Sequence, residues 1–162
     1  MALPIYLWFE NDGKNQIKGS VDVSGREGSI EINELMHSVE QPIDPLTGKT
    51  TAKRLHSSYA FMKNIDNSSS DLYKALSTGQ TFKKAVFSFY RINYAGQEEE
   101  YFRTTLENVK ITEIESFMMD TKKTRWEKHE HLEYVDLAYE KITWHHLDGN
   151  IIHSDSWKGR AV

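Results

Sequence analysis

Polar and apolar positions alternate along this chain in short runs, and turn residues break the runs at fairly regular intervals, the pattern of an all-β domain. Pro4 to Glu10 reads as a first strand, with Tyr6 and Trp8 on one face and Phe9 opposite, closed by Asn11-Asp12-Gly13. Ile17 to Val23 reads as the next, with Ile17, Gly19, Val21 and Val23 on one face. Ile30 to Glu40 begins with Ile30 and Ile32 inward and Glu31 and Asn33 outward, then loses phase near Leu35-Met36. Such a slip suits a β-bulge or the curvature of a closing barrel. Lys83 to Asn93 sets Ala85, Phe87 and Phe89 against Val86, Ser88 and Tyr90, and the turn Tyr94 to Gln97 follows. Glu99 to Met118 is either one long strand or two with a kink. Leu132 to Leu147 alternates through Val135, Leu137 and Tyr139, while Ile142 and Trp144 fall on the opposite face, so both faces need cover.

The pattern predicts one helix. Ser68-Ser69-Ser70 offers N-cap hydroxyls, Asp71 complements the first-turn dipole, Leu72, Ala75 and Leu76 form one apolar stripe, and Gly79 supplies the C′ position. So short a helix needs packing against a sheet to persist. Gln41 to Arg54 holds two of the chain's three prolines and reads as a long, polar, projecting loop, a type that is commonly functional. Met119 to His131 is a charged connection. Between two apolar and aromatic runs, Asp148-Gly149 predicts a hairpin with a type I′ turn, which needs positive φ at both central positions.

Composition narrows the picture. A chain of 162 residues is expected to form a single domain, 1–162, and can bury roughly 70% of its unfolded surface. With no cysteine, disulfides, thiol catalysis and cysteine-ligated zinc are excluded. The net charge is −4 and the pI about 6.0, without a basic stripe, which argues against nucleic acid as a partner. The N-terminal run is short, broken by Pro4 and without a basic n-region, so neither a signal peptide nor membrane insertion is expected. Synthesis and folding in the cytoplasm follow as the expectation. Aromatics make up 12% of residues, rich for a small soluble domain, which suits a β-rich core or a self-association surface.

No pattern of catalytic residues emerges. Among seven histidines, His129 and His131, His145-His146 and His153 lack the converging spacing that zinc needs. No Gly-x-Ser-x-Gly elbow is present, and His153-Ser154-Asp155 is adjacency in sequence rather than a triad. Gly25 to Gly28 precedes a strand and is too short for a phosphate loop. Glu98-Glu99-Glu100 and the basic group Lys122, Lys123, Arg125 and Lys128 read as solvated segments. The expectation is a protein that is not an enzyme and holds no cofactor or metal.

The run Tyr139 to Trp157 resembles the closing segment of the haemolysin-coregulated protein (Hcp) family, the tube subunit of bacterial type VI secretion. The resemblance recurs in family order in Ile17-Lys-Gly-Ser-Val-Asp-Val23, Gly25-Arg-Glu-Gly-Ser-Ile-Glu-Ile32 and Asp44-Pro-Leu-Thr-Gly-Lys49. It continues in Leu72-Tyr-Lys-Ala75, Tyr90-Arg-Ile-Asn93 and Gly96-Gln-Glu-Glu-Glu-Tyr-Phe102, and so covers nearly the whole chain. It implies a mainly β fold, a compact barrel of two sheets flanked by one short α-helix. Six copies are expected to close into a ring, and rings to stack into a hollow secreted tube. The tube carries a spike protein at its tip, is driven by a contractile sheath, and shelters effector cargo in its lumen. Export bypasses signal peptides, and no C-terminal toxin extension is expected, since only Lys158 to Val162 follow Trp157.

In that picture Asp44, Thr47, Lys49, Lys53 and Arg54 of the projecting loop are candidates for ring stacking. Met36, His37 and Ser38, where the alternation breaks, are candidates for the lumen. The alternative is a monomeric ligand-binding β-barrel that uses its surplus tryptophan and tyrosine to stack on a flat ligand.

Overall fold

The computed structural model describes residues 3–158. Its elements, in chain order, are β1 (Ile5–Asn11), β2 (Lys14–Asn15), β3 (Ile30–Ile32), β4 (Glu34–Met36), β5 (Val39–Glu40), β6 (Leu55–His56) and β7 (Tyr59–Asn64). They continue with α1 (Ser69–Thr78), β8 (Thr81–Ile92), β9 (Glu98–Phe117), β10 (Leu132–Ala138), β11 (Lys141–His146) and β12 (Ile151–Ser156). The fold is mainly β with one short helix, as the alternation predicts. All ladders are antiparallel, and ten strands form one sheet along the path β2-β1-β8-β9-β10-β7-β4, with β3 beside β1 and the hairpin β11-β12 attached through β9. Two-stranded β5-β6 stands apart.

The expected barrel of two sheets is thus corrected to one curled sheet whose pairing does not close. The strand that would close it changes partner instead. β3 pairs β1 (Ile5↔Ile32), whereas β4 pairs β7 (Leu35↔Phe61), and Asn33 between them donates its N–H to the Met62 carbonyl at 2.8 Å. That change of partner is the phase slip visible in the sequence.

Leu7, Phe9, Phe82, Phe87, Leu106, Val135, Leu137 and Ile142 are fully buried and form the centre of the core. Truncating one of them, Phe87→Ala for example, costs about 3–5 kcal/mol by lost transfer energy and an unfilled cavity. Strands β8, β9 and β10-β11 share a feature that periodicity alone misses. Each skips a beat at the same level: Phe82 and Ala85 are buried, as are Leu106 and Val109, and Tyr139 and Ile142. Between them lie Lys84, Glu107 and Lys141, which face one another across the ladders. Asn108 takes φ 53° at this corner. Because the three strands shift together, the register survives while the inward face changes parity. Tyr139 and Ile142 therefore share the core, which overturns the reading of two apolar faces from Leu132 to Leu147. At the same corner Glu99 to Met118 resolves into one kinked strand.

Ile17 to Val23 is not a strand. Gly19 donates to Gly28 O (2.9 Å) and Gly28 to Val21 O (2.9 Å), so the segment folds back on itself. A Cβ at Gly19 would lie 2.0 Å from Ser29 O, so only glycine permits this approach. Of the four residues expected on one apolar face, Ile17 and Gly19 are buried and Val23 is exposed.

The helix runs where expected and ends at Gly79 (φ 66°). Its start differs, because the Ser68 hydroxyl donates to Asp66 Oδ1 (2.5 Å) and makes no cap to a helix N–H. The helix is held instead by a buried ionic cluster. Lys63 Nζ donates to Glu133 Oε2 (2.8 Å) and Asn64 O (2.8 Å) and lies 3.0 Å from Asp66 Oδ1, while Ser69 Oγ donates to Glu133 Oε2 (2.9 Å). Lys63 and Glu133 sit opposite one another on β7 and β10, both fully buried. The C-terminal hairpin closes with Leu147–Asn150. Gly149 and Asn150, not Asp148, take positive φ, so the expected type I′ turn at Asp148-Gly149 is corrected to a longer loop.

Candidate functional site

The projecting loop is a hairpin-like arm. Its root is the β5-β6 ladder (Val39↔His56, Glu40↔Leu55), Ile43 and Thr50 bridge midway, and Asp44 exchanges backbone hydrogen bonds with Lys49 (2.7 Å) and Gly48 (2.8 Å). Asp44 shapes the tip. Its carboxylate accepts from the Leu46 N–H at 2.7 Å and the Thr47 N–H at 3.3 Å, the side-chain turn that aspartate favours. The Thr47 hydroxyl accepts from the Lys49 N–H at 3.4 Å, and Lys49 and Lys53 are exposed.

Polar patterning hides what the arm presents. Leu46 at its tip is 94% exposed, Val39, Ile43 and Leu55 are exposed along it, and Met36 is exposed on β4 just before its root. Exposed apolar side chains gathered on one projecting element suit a contact surface. Val39, Ile43, Leu46 and Leu55 are scattered among prolines and polar residues and never reach the density of an apolar run, so periodicity does not mark them. A second exposed apolar group, Ile151 and Ile152, lies on β12, which among the described residues pairs only with β11 and so forms an edge of the sheet.

Arg54 does not join the outward candidates. It turns back beneath the arm and forms a bidentate pair with Asp155 of β12 (Nε–Oδ2 2.5 Å, Nη2–Oδ1 2.6 Å). His56 Nε2 lies 2.8 Å from the same Oδ2, and its Nδ1 lies 2.9 Å from the Tyr139 hydroxyl. His37 Nε2 meets that hydroxyl from the other side at 2.7 Å, with Ser57 O at 3.2 Å as a further acceptor. Trp157 stacks on His56 and packs edge-on against Tyr139. The hydrogen bonds from Arg54 and His56 hold the Asp155 carboxyl down to about 2. Burial, then the proximity of His56, lowers the pKa of His37, and burial raises that of Tyr139.

This relay joins residues up to 102 positions apart, and no local motif marks it. Of the proposed lumen group, Met36 (77% exposed) and Ser38 are exposed, while His37 is turned into the relay.

The remaining motifs resolve into structural roles. Glu98, Glu99 and Glu100 each meet an arginine: Arg26 (2.7 Å), Arg91 (2.9 Å) and Arg103 (2.7 Å). The Arg26 guanidinium also lies over the rings of Tyr6 and Tyr90, at 5.0 and 4.3 Å. His145 bonds Asn150, His146 bonds Asp148 O, His153 stacks on Trp144, and His129 packs on Trp126. Among the described residues no group of three or more potential ligands converges.

Residues 6–146 match the family described as "Type VI secretion system effector, Hcp". The chain is 32% identical over 140 residues to the "Major exported protein" of Pseudomonas aeruginosa, covering 86% of this chain and 81% of that one. Among solved structures it is similar to a double mutant of the Hcp1 protein from the E. coli EAEC 042 pathovar, at 54% identity and TM-score 0.85, covering 96% and 99% of the two chains. It is also similar to the secreted protein Hcp3 of P. aeruginosa, at 26% identity and TM-score 0.76, covering 98% and 100%.

Proposed function

Since the chain belongs to the Hcp family of type VI secretion proteins, we propose that it is a tube subunit, a single domain that closes into hexameric rings and stacks them into a hollow tube. The observation that carries this reading is the arm. A monomer gains nothing from holding Leu46 in water at the tip of a braced hairpin, whereas a stacked ring buries it. The free edge of β12, with Ile151 and Ile152, is the proposed contributor to contacts within a ring. A heterologous contact of this kind is finite only if its rotation closes.

Ring-on-ring contact is assigned to the arm, through Leu46, Thr47, Lys49 and Lys53, with Asp44 shaping the tip and Arg54 bracing the root. Met36 and Ser38 are the proposed lumen contributors. The tube would take a spike at its tip, move within a contractile sheath, carry effectors and leave the cell by the type VI route, in a structural rather than catalytic role. The rival ligand-binding barrel is less well supported, because Phe9, Phe61, Phe82, Phe87 and Leu106 fill the interior it would need.

Light scattering on a sizing column with negative-stain images tests the reading. Rings of about six times the 18.8 kDa chain mass are expected, and a monomer at all concentrations would overturn it. Leu46→Ser combined with Lys49→Ala should leave ring mass unchanged and abolish stacking.

A further inference from the structure

We propose that the relay at the root of the arm is an acid-operated latch, in which protonation of His56 draws Asp155 away from Arg54 and frees the arm from the C-terminal hairpin. The inference rests on the tube reading only for its consequence, weaker ring stacking in weak acid. The latch itself is a property of one chain.

A proton inventory gives the resting state. Asp155 is ionised and can only accept, so His56 Nε2 carries a hydrogen and donates to Oδ2. A neutral His56 then has a lone pair at Nδ1, which accepts from the Tyr139 hydroxyl. With its one hydrogen committed, Tyr139 Oη accepts from His37 Nε2. The chain of donors thus runs in one direction, from His37 through Tyr139 and His56 to Asp155, where Arg54 arrives from the opposite side.

Histidine is the side chain whose charge ordinarily changes between about pH 5 and 8, and the relay holds two. Of the two, His56 faces the carboxylate. His37 is surrounded by Tyr139, Tyr59, Trp144 and His56 itself. Around His56 stand Tyr139, Asp155, Trp157 and His37, with Arg54 across the carboxylate.

A proton arriving at His56 Nδ1 turns that atom into a donor. The Tyr139 hydroxyl has an alternative acceptor in place, Ser57 O, so the hub is repartnered rather than broken. At the other ring nitrogen the change is competitive. One negative charge now serves two cations that share Oδ2, and the sites differ in access to water: the His56 side chain is 0% exposed and that of Arg54 is 24% exposed. A buried cation cannot give up its partner, whereas a guanidinium about a quarter exposed can exchange it for solvent. Arg54 is therefore the group that lets go. It lies immediately before β6, so its release loosens the arm where the arm joins the body.

The test is amide hydrogen exchange, corrected for intrinsic rates, across the β5-β6 ladder and Ser57 in the full-length protein at about pH 8 and about pH 5. Protection there is expected to fall by about tenfold or more in acid, while β8 and β9 are unchanged. His56→Gln keeps the Nε2 donor to Asp155 but cannot be protonated, and should hold protection equal at both pH values. His37→Gln should retain the response. A pH-independent arm in the wild type, or a response lost in His37→Gln and kept in His56→Gln, would overturn the latch. Particle mass, measured in parallel, reports on the ring separately: a monomer whose arm loosens in acid removes the tube and leaves the latch.

Discussion

Two buried polar clusters brace this molecule, and they are built for opposite ends. The Lys63 cluster is sealed. Its carboxylates, Glu133 and Asp66, belong to the neighbouring strand and to the turn before α1, and burial leaves Lys63 and Glu133 no water to fall back on. Hydrogen bonds from Ser68 and Lys63 lower the pKa of Asp66 against the opposing effect of burial. Neither histidine nor tyrosine takes part in it. The His56 relay joins segments distant in sequence, the arm root, the β10-β11 junction and the edge strand, and includes two imidazoles. A sealed ion cluster fixes how a helix sits on a sheet. One that is partly open to solvent at Arg54 and contains histidines suits the latch proposed for the arm.

Breaking the sealed cluster should produce the largest effect. Glu133→Ala removes the fully buried partner of the Lys63 ammonium, leaving Asp66 as its one carboxylate contact, and is expected to cost about 3 kcal/mol in urea unfolding. Replacing both partners, Lys63→Met with Glu133→Leu, should restore stability to within about 2 kcal/mol of wild type, because the desolvation cost disappears with the attraction. Equal losses in the single and double variants would show that the cluster stabilises through its charges rather than merely being filled by them.

In the relay, Tyr139→Phe keeps the ring packing on Trp157 and removes the hub hydroxyl. A loss of about 1–3 kcal/mol is expected, smaller than for Glu133→Ala. An equal or larger loss would erase the distinction between the two clusters.

Acidity separates them further. His37 has a lowered pKa in the fold, so the unfolded chain takes up the proton first. That contribution is complete above the ordinary histidine value of 6.5 and declines as pH falls below it. Asp155, held at about 2 against 3.8, adds stability above 3.8 that is lost between those values. Melting temperature should therefore drop in two stages, and His37→Gln should flatten the first. A single stage confined to the carboxylate range would remove the histidine contribution. The smallest effect on the fold belongs to the arm tip: Lys49→Ala and Lys53→Ala should each change stability by less than about 0.5 kcal/mol. A larger loss would mean that the tip is braced like the relay rather than free in solvent.

How far the fold was legible varies element by element. β1, β8 from Ala85 onward and the helix were readable because each lays a regular apolar face against a continuous neighbour, so that period 2 or 3.6 shows directly. Ile17 to Val23 misled because its alternation is real but its Gly19 packs against backbone. The β10-β11 segment misled because a coordinated corner in three strands changes parity, and that correlation is invisible in any one of them. At the candidate site the arm was legible as a long loop, from its prolines and turn residues. Its exposed Leu46 and the inward turn of Arg54 were not.

By itself the sequence determined the class of the molecule: strands from alternation, one helix from its stripe and Gly79, a projecting loop from Pro42, Pro45 and Gly48, and a family from motifs in order. These are local properties, set by backbone sterics and by which side chains leave water. Only the tertiary structure decided that the sheet curls without closing, that Ile142 faces the core beside Tyr139, and that Arg54, His56, Tyr139 and Asp155 meet. Those outcomes depend on ladder register, through which residues a hundred positions apart become neighbours, and register is settled by the joint packing of all strands rather than by any one segment.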